Sequence, residues 1–91
     1  MFRRRPSWHK RRFVLFEDKL YCYEKRDDVL VFSEIIMMSN VTALTVQSSN
    51  CIKISQVEGS IRMLRFWSTE VRNVWLTALL TAKAVNLLKY Q

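Results

Sequence analysis

The sequence is short of the residues that build loops and carry chemistry. Its 91 residues include one Gly and one Pro, so no stretch reads as a flexible or proline-rich linker. Gly59 alone cannot make a glycine-rich phosphate loop or a nucleophile elbow, which need several glycines around the reacting position. There is one His, and Cys22 and Cys51 lie far apart, so no metal-ligand spacing exists. No acid pair stands out, because Asp27-Asp28 falls in a charged loop. These absences argue against an enzyme and against a metal or other cofactor. The longest unbroken apolar runs are four residues, Val29–Phe32 and Ile35–Met38 among them, against the ~20 that a membrane-spanning helix needs. The basic N-terminus is not followed by an apolar signal core, and no internal repeat is visible. Each cysteine sits inside a strand-like run, the setting of a reduced core thiol, which points to the cytosolic side of a cell.

What is present is apolar bulk and a lopsided charge. Apolar residues make up 49% of the chain, enough for one core, so residues 1–91 are expected to form a single domain. The net charge is +7, and its placement matters more than its size. Arg3, Arg4, Arg5, Lys10, Arg11 and Arg12 stand among the first twelve residues with no acid between them. The remainder is close to neutral. A patch this local implies a polyanionic partner.

Along the chain, β-favouring runs come first. Trp8–Phe16 and Leu20–Tyr23 flank the polar break Glu17-Asp18-Lys19 and read as a hairpin. Lys25–Asp28 is a charged loop. A strand is expected at Ile35–Met38, with a partly ordered Val29–Phe32 before it. Val41–Val46, Cys51–Ser55 and Ile61–Phe66 follow, separated by Gln47–Asn50 and by the turn Val57–Ser60, whose Gly59 can take positive φ. The period then changes. Val71, Val74, Trp75, Ala78, Leu79, Ala82 and Val85 recur at helical spacing over about 69–88, with Ser68 or Thr69 as cap and Glu70 in the first turn. Strands closed by one amphipathic helix define an α+β, mainly β, architecture.

Trp8-His9-Lys10-Arg11-Arg12-Phe13-Val14-Leu15 resembles the second strand of a pleckstrin-homology (PH) domain. Leu20-Tyr21-Cys22-Tyr23 resembles the third, Cys51-Ile52-Lys53-Ile54 the sixth and Ile61–Trp67 the seventh. Glu70–Leu79, centred on Trp75, resembles the family's terminal helix with its hallmark Trp. The resemblance implies a seven-stranded antiparallel barrel capped by the C-terminal helix, with a partial first strand at Met1–Arg5 whose usual preceding Gly would lie ahead of Met1. It makes Trp75 the structural anchor of the helix.

The resemblance also implies a binding module for phosphoinositide headgroups. Matched residue by residue, Arg3 takes the basic place in strand one, and His9 and Arg11 take the Lys-x-Arg places. Cys22 stands where the family has Tyr, and Ser33 where it often has Arg. Arg5, Ser7 and Trp8, in the segment Arg5-Pro6-Ser7-Trp8-His9, are similar to the β-spectrin type, whose headgroup sits outside the barrel against the loop that would here be Gln47–Asn50. The expected headgroup-binding residues are therefore Arg3, Arg5, Ser7, Trp8, His9 and Arg11. Arg4, Lys10, Arg12, Lys25 and Arg26 form a supporting basic surface. If Phe13 and Leu15 face the core, Arg11 shares their side and Lys10 and Arg12 face outward beside Tyr21 and Tyr23. With two family positions kept and the loop Arg4–Ser7 short, the expectation is weak docking to anionic membranes without strict trisphosphate specificity, at the cytoplasmic leaflet. The alternative is a protein-interaction or intramolecular regulatory module, partnered by another protein or a neighbouring domain. Nucleic acid is disfavoured, since no RNA-binding sheet signature is present.

Overall fold

The computed structural model describes residues 11–48 and 50–89, the last three by their backbone alone. Six strands and one helix follow one another: β1 (Arg11–Phe16), β2 (Lys19–Arg26), β3 (Val29–Met37), a 3-10 turn at Met38–Asn40, β4 (Val41–Ser48), β5 (Cys51–Gln56), β6 (Ile61–Arg65) and α1 (Thr69–Lys89). The strands form two antiparallel three-stranded sheets, β1-β2-β3 and β4-β5-β6. The expected seven-stranded barrel is corrected on two points: among the described residues there are six strands, and the sheets are not closed by hydrogen bonds. The stretch expected to supply the seventh strand, Met1–Arg5, lies outside the described residues.

The first sheet is two hairpins on tight turns. Asp27 and Asp28 have φ of 48° and 63°, the double left-handed backbone that a two-residue type I′ turn requires and that a Gly at the second place would adopt with less strain. Glu17 also has positive φ, at 56°. In β1 and β2 the alternation puts Phe13 opposite Cys22 and Leu15 opposite Leu20 on the packed face, with Val14 and Phe16 exposed. The apolar stretch before Ile35 belongs to one continuous strand. The register of β3 slips between Cys22 and Tyr23, which pair with Glu34 and Phe32, so Ser33 is the extra residue of a bulge. The slip turns Phe32 to the outer face, where its ring meets Tyr23 edge-on at 5.9 Å.

The second sheet is completed by the turn after β5. Gly59 has φ of 91°, and its N–H donates to the Gln56 carbonyl at 2.9 Å. Ser68 opens the helix: its Oγ accepts the Val71 N–H at 3.1 Å, satisfying one donor of the first turn. The packed side of α1 presents Val71, Trp75, Leu76, Leu79 and Ala82. Val74 and Val85, which the spacing assigned to the same stripe, are exposed, and Asn86 is buried in their stead.

The core lies between the sheets and under the helix. Leu20, Ile36, Met38, Ile52, Ile54 and Leu79 are fully buried, each contributing roughly 1.5–3 kcal/mol of hydrophobic stabilisation. Cys22 and Cys51 are buried and free. Burial, and to a lesser degree the nearby Glu34 carboxylate, pushes the Cys22 thiol up to about 11, so it is an unreactive, protonated core group at neutral pH.

Candidate functional site

A cleft opens between the two sheets at the end where β1 begins and the β2–β3 turn lies. Its walls are Arg11, Arg12 and Phe13 of β1, Lys25, Asp28 and Leu30 around the turn, and the length of β6. Trp75 sits at its base, edge-on to Phe13 at 6.2 Å and stacked on Phe66 at 6.1 Å. One helix residue thus ties the first strand of one sheet to the end of the other, and such aromatic pairs add about 0.5–1.5 kcal/mol each beyond their burial.

The cations around this mouth are arranged with their own counter-ions. Arg11 lies opposite Glu24 in the β1–β2 register, with Nη2 to Oε1 at 3.4 Å. Arg26 approaches the other oxygen of the same carboxylate at 3.0 Å. Lys25 pairs with the exposed Asp28 at 3.6 Å. Arg62 of β6 reaches across to Glu34 of β3, Nε to Oε1 at 2.8 Å and Nη2 to Oε2 at 3.0 Å. This two-pronged bond clasps the two sheets together and holds the Arg62 proton more firmly than in water. Arg12 makes no ion pair among the described residues, and Arg65 stands on the same wall. Four of these cations, Arg11, Arg26, Lys25 and Arg62, share three carboxylates, Glu24, Asp28 and Glu34, so with Arg12 the paired set keeps an excess of two positive charges.

Of the residues the sequence put forward, Arg11, Arg12 and Lys25 line this cleft, and Arg26 shares the Glu24 carboxylate with Arg11. Trp75 is packed, not presented. Arg3, Arg4, Arg5, Ser7, Trp8, His9 and Lys10 lie outside the described residues, as does Ser49 of the loop between β4 and β5. Asn50 of that loop does border the cleft, and its carbonyl accepts the Phe66 N–H at 2.9 Å. Arg72 of α1 pins the other side of the loop, donating to the Ser48 carbonyl at 3.1 Å.

Three residues of the cleft were not singled out by the sequence: Arg62, Arg65 and Trp67. Trp67 is 90% exposed in the link between β6 and α1, although it is among the most costly side chains to leave in water. Its neighbours Phe66 and Trp75 are packed, and nothing in the sequence order separates the one displayed aromatic from the two anchored ones. Among the described residues no cluster of His, Cys, Asp and Glu could hold a metal ion, and no helix is long and apolar enough to cross a membrane.

Two three-stranded antiparallel sheets packed around one core, with a single C-terminal helix anchored by a Trp, make a pleckstrin-homology-type fold. Among solved structures the chain is similar to the N-terminal PH domain of human ARAP2, at a TM-score of 0.76 and 22% identity over 94% of this chain and 73% of that one. No protein-family model matches the chain, and no curated protein matches it.

Proposed function

We propose that this domain is a non-catalytic PH-type binding module that docks its host protein, weakly and reversibly, on anionic membrane surfaces, including those carrying phosphoinositides. The observation that carries the reading is a displayed Trp beside a net-positive cleft: Trp67 stands 90% exposed on the same cleft as Arg11, Arg12 and Arg65. Indole rings favour the headgroup level of a bilayer, and each nearby cation gains roughly 1 kcal/mol against an anionic leaflet. Arg3, Arg5, Ser7, Trp8 and His9, ahead of β1, join this surface on the strength of the sequence resemblance, with Arg4 and Lys10 adding charge. An excess of two positive charges, Arg12 and one of the pair that shares Glu24, gives about 2 kcal/mol, which is docking on the order of tens of millimolar unless a second domain or a dimer adds avidity.

Co-sedimentation with phosphatidylcholine vesicles, with and without phosphatidylserine or phosphatidylinositol 4,5-bisphosphate, tests this at two salt concentrations. The wild type should pellet with the anionic vesicles at low salt and be released at high salt, and Arg11→Ala/Arg12→Ala and Trp67→Ala should each pellet less. Equal recovery with neutral and anionic vesicles overturns the reading. A protein partner is the second reading, favoured by β3. Val29, Leu30, Val31 and Phe32 are each 41–61% exposed, and no strand pairs with the outer edge of β3 among the described residues. Such an apolar edge can accept a partner's strand. That reading predicts loss of complex formation in Phe32→Lys but not in Arg11→Ala.

A further inference from the structure

The opposite end of the first hairpin carries opposite charge and a different kind of recess. The β1–β2 turn, Glu17-Asp18, lies a full strand away from the β2–β3 turn, roughly 23 Å for the eight residues of β2. Beneath it a groove runs against the second half of α1. Leu15, Ala78, Ala82 and Val85 give it an apolar lining, and Glu17, Asp18, Thr81 and Asn86 give it polarity. Asn86 is 6% exposed, and its Oδ1 has no hydrogen-bond partner among the described residues. A buried amide oxygen left this way costs about 1–3 kcal/mol, and a helix that needed only packing at this position would carry Leu or Ala. Neither Glu17 nor Asp18 takes part in an ion pair among the described residues.

These features describe one ligand chemistry. Two carboxylates and an unsatisfied carbonyl offer only acceptors, so the group that satisfies them must be a donor and a cation. The small side chains Ala78 and Ala82 leave room on the helix for an alkyl stem. An ammonium brings three donors, which these acceptors can share. We propose that this groove is a second binding site, which takes the lysine side chain of a protein partner, its stem over Leu15, Ala78 and Ala82 and its ammonium among Glu17, Asp18 and the Asn86 carbonyl. The module is then two-ended, with a cationic cleft for an anionic surface and an acidic groove for a basic protein segment. The second site does not depend on the first.

The test is an NMR titration of the full chain with N-acetyl-lysine N-methylamide, with the uncharged N-acetyl-norleucine N-methylamide as control at matched ionic strength. At about 50 mM, above the millimolar Kd a single side chain can reach, the lysine probe should give saturable amide shifts centred on Glu17, Asp18, Ala82 and Asn86, and the norleucine probe should not. Asn86→Leu should weaken the lysine probe about tenfold or more, the loss of one hydrogen bond to a charged group. Glu17→Gln/Asp18→Asn, in a surface turn where folding is not at stake, should weaken it to a similar or greater degree. Absence of saturable shifts, equal shifts with both probes, or unchanged affinity in Glu17→Gln/Asp18→Asn overturns the proposal.

Discussion

Glu24 is the carboxylate that most restrains the cationic cleft, and removing its charge should strengthen membrane docking. It faces Arg11 at 3.4 Å and Arg26 at 3.0 Å, so one negative charge is shared between two arginines. Glu24→Gln keeps the shape and an acceptor oxygen but raises the net charge of the mouth by one. Near an anionic leaflet one added charge is worth about 1 kcal/mol, or about fivefold in the partition coefficient. The cost to the fold is small, because partly exposed pairs of this kind contribute about 0–1 kcal/mol each. Vesicle co-sedimentation with phosphatidylserine-containing liposomes at low salt reads the effect. Glu24→Gln should bind about fivefold tighter, the gain should shrink as salt screens it, and Glu17→Gln, at the far end of the hairpin, should change nothing. If Glu24→Gln is folded and binds no better than wild type, Arg11 and Arg26 do not face the membrane and the orientation argued for the cleft is wrong.

Three further outcomes follow from the packing and the turns. Trp75→Ala removes the ring that joins Phe13 to Phe66 and should destabilise the domain by about 3 kcal/mol, at the low end for buried aromatics because the side chain is only partly buried; a loss under about 1 kcal/mol in urea unfolding would contradict its anchoring role. Asp28→Gly relieves a left-handed residue at φ 63° and gives up only the exposed pair with Lys25, so it should raise stability by about 0.5–1 kcal/mol while leaving Lys25 uncompensated for anionic vesicles. Burial holds the Cys22 proton up to about 11 from 9.0, so the folded state binds more protons than the unfolded chain between those values. Stability should therefore fall as pH rises from 9 towards 11, by up to ~1.4 kcal/mol per unit, and Cys22→Ala should show a shallower decline in Tm over that window.

Much of the fold was legible because its signals are local and periodic. The change from alternating strands to a helical period after Trp67, the cap at Ser68 and the positive-φ turn at Gly59 each rest on a few adjacent residues. Val29–Phe32 was harder. An unbroken apolar run carries no phase, and only the pairing of Tyr23 with Phe32 reveals the bulge at Ser33 and the face each side chain takes. The helix stripe misassigned Val74 and Val85 because apolar spacing cannot tell a core contact from a displayed side chain.

The site was legible in composition more than in geometry. Clustered arginines at the start of the chain pointed to a polyanion, but ion pairing is a long-range property. Arg62 finds Glu34 twenty-eight positions away, and Glu24 meets Arg11 only through the hairpin register. Sequence order could not say that four cations at the mouth share three carboxylates, nor that Trp67 is displayed while Trp75 is packed.

The most direct measurement is fluorescence quenching by lipids brominated in the acyl chain, comparing the wild type with Trp67→Phe on anionic and neutral vesicles. A docking face at the cleft requires bromine to quench wild-type emission on anionic vesicles alone, with a clear part of that quenching missing in Trp67→Phe. Quenching that is identical in the two proteins would place Trp67 away from the bilayer, quenching as strong on neutral vesicles would remove the role of charge, and either would contradict the account.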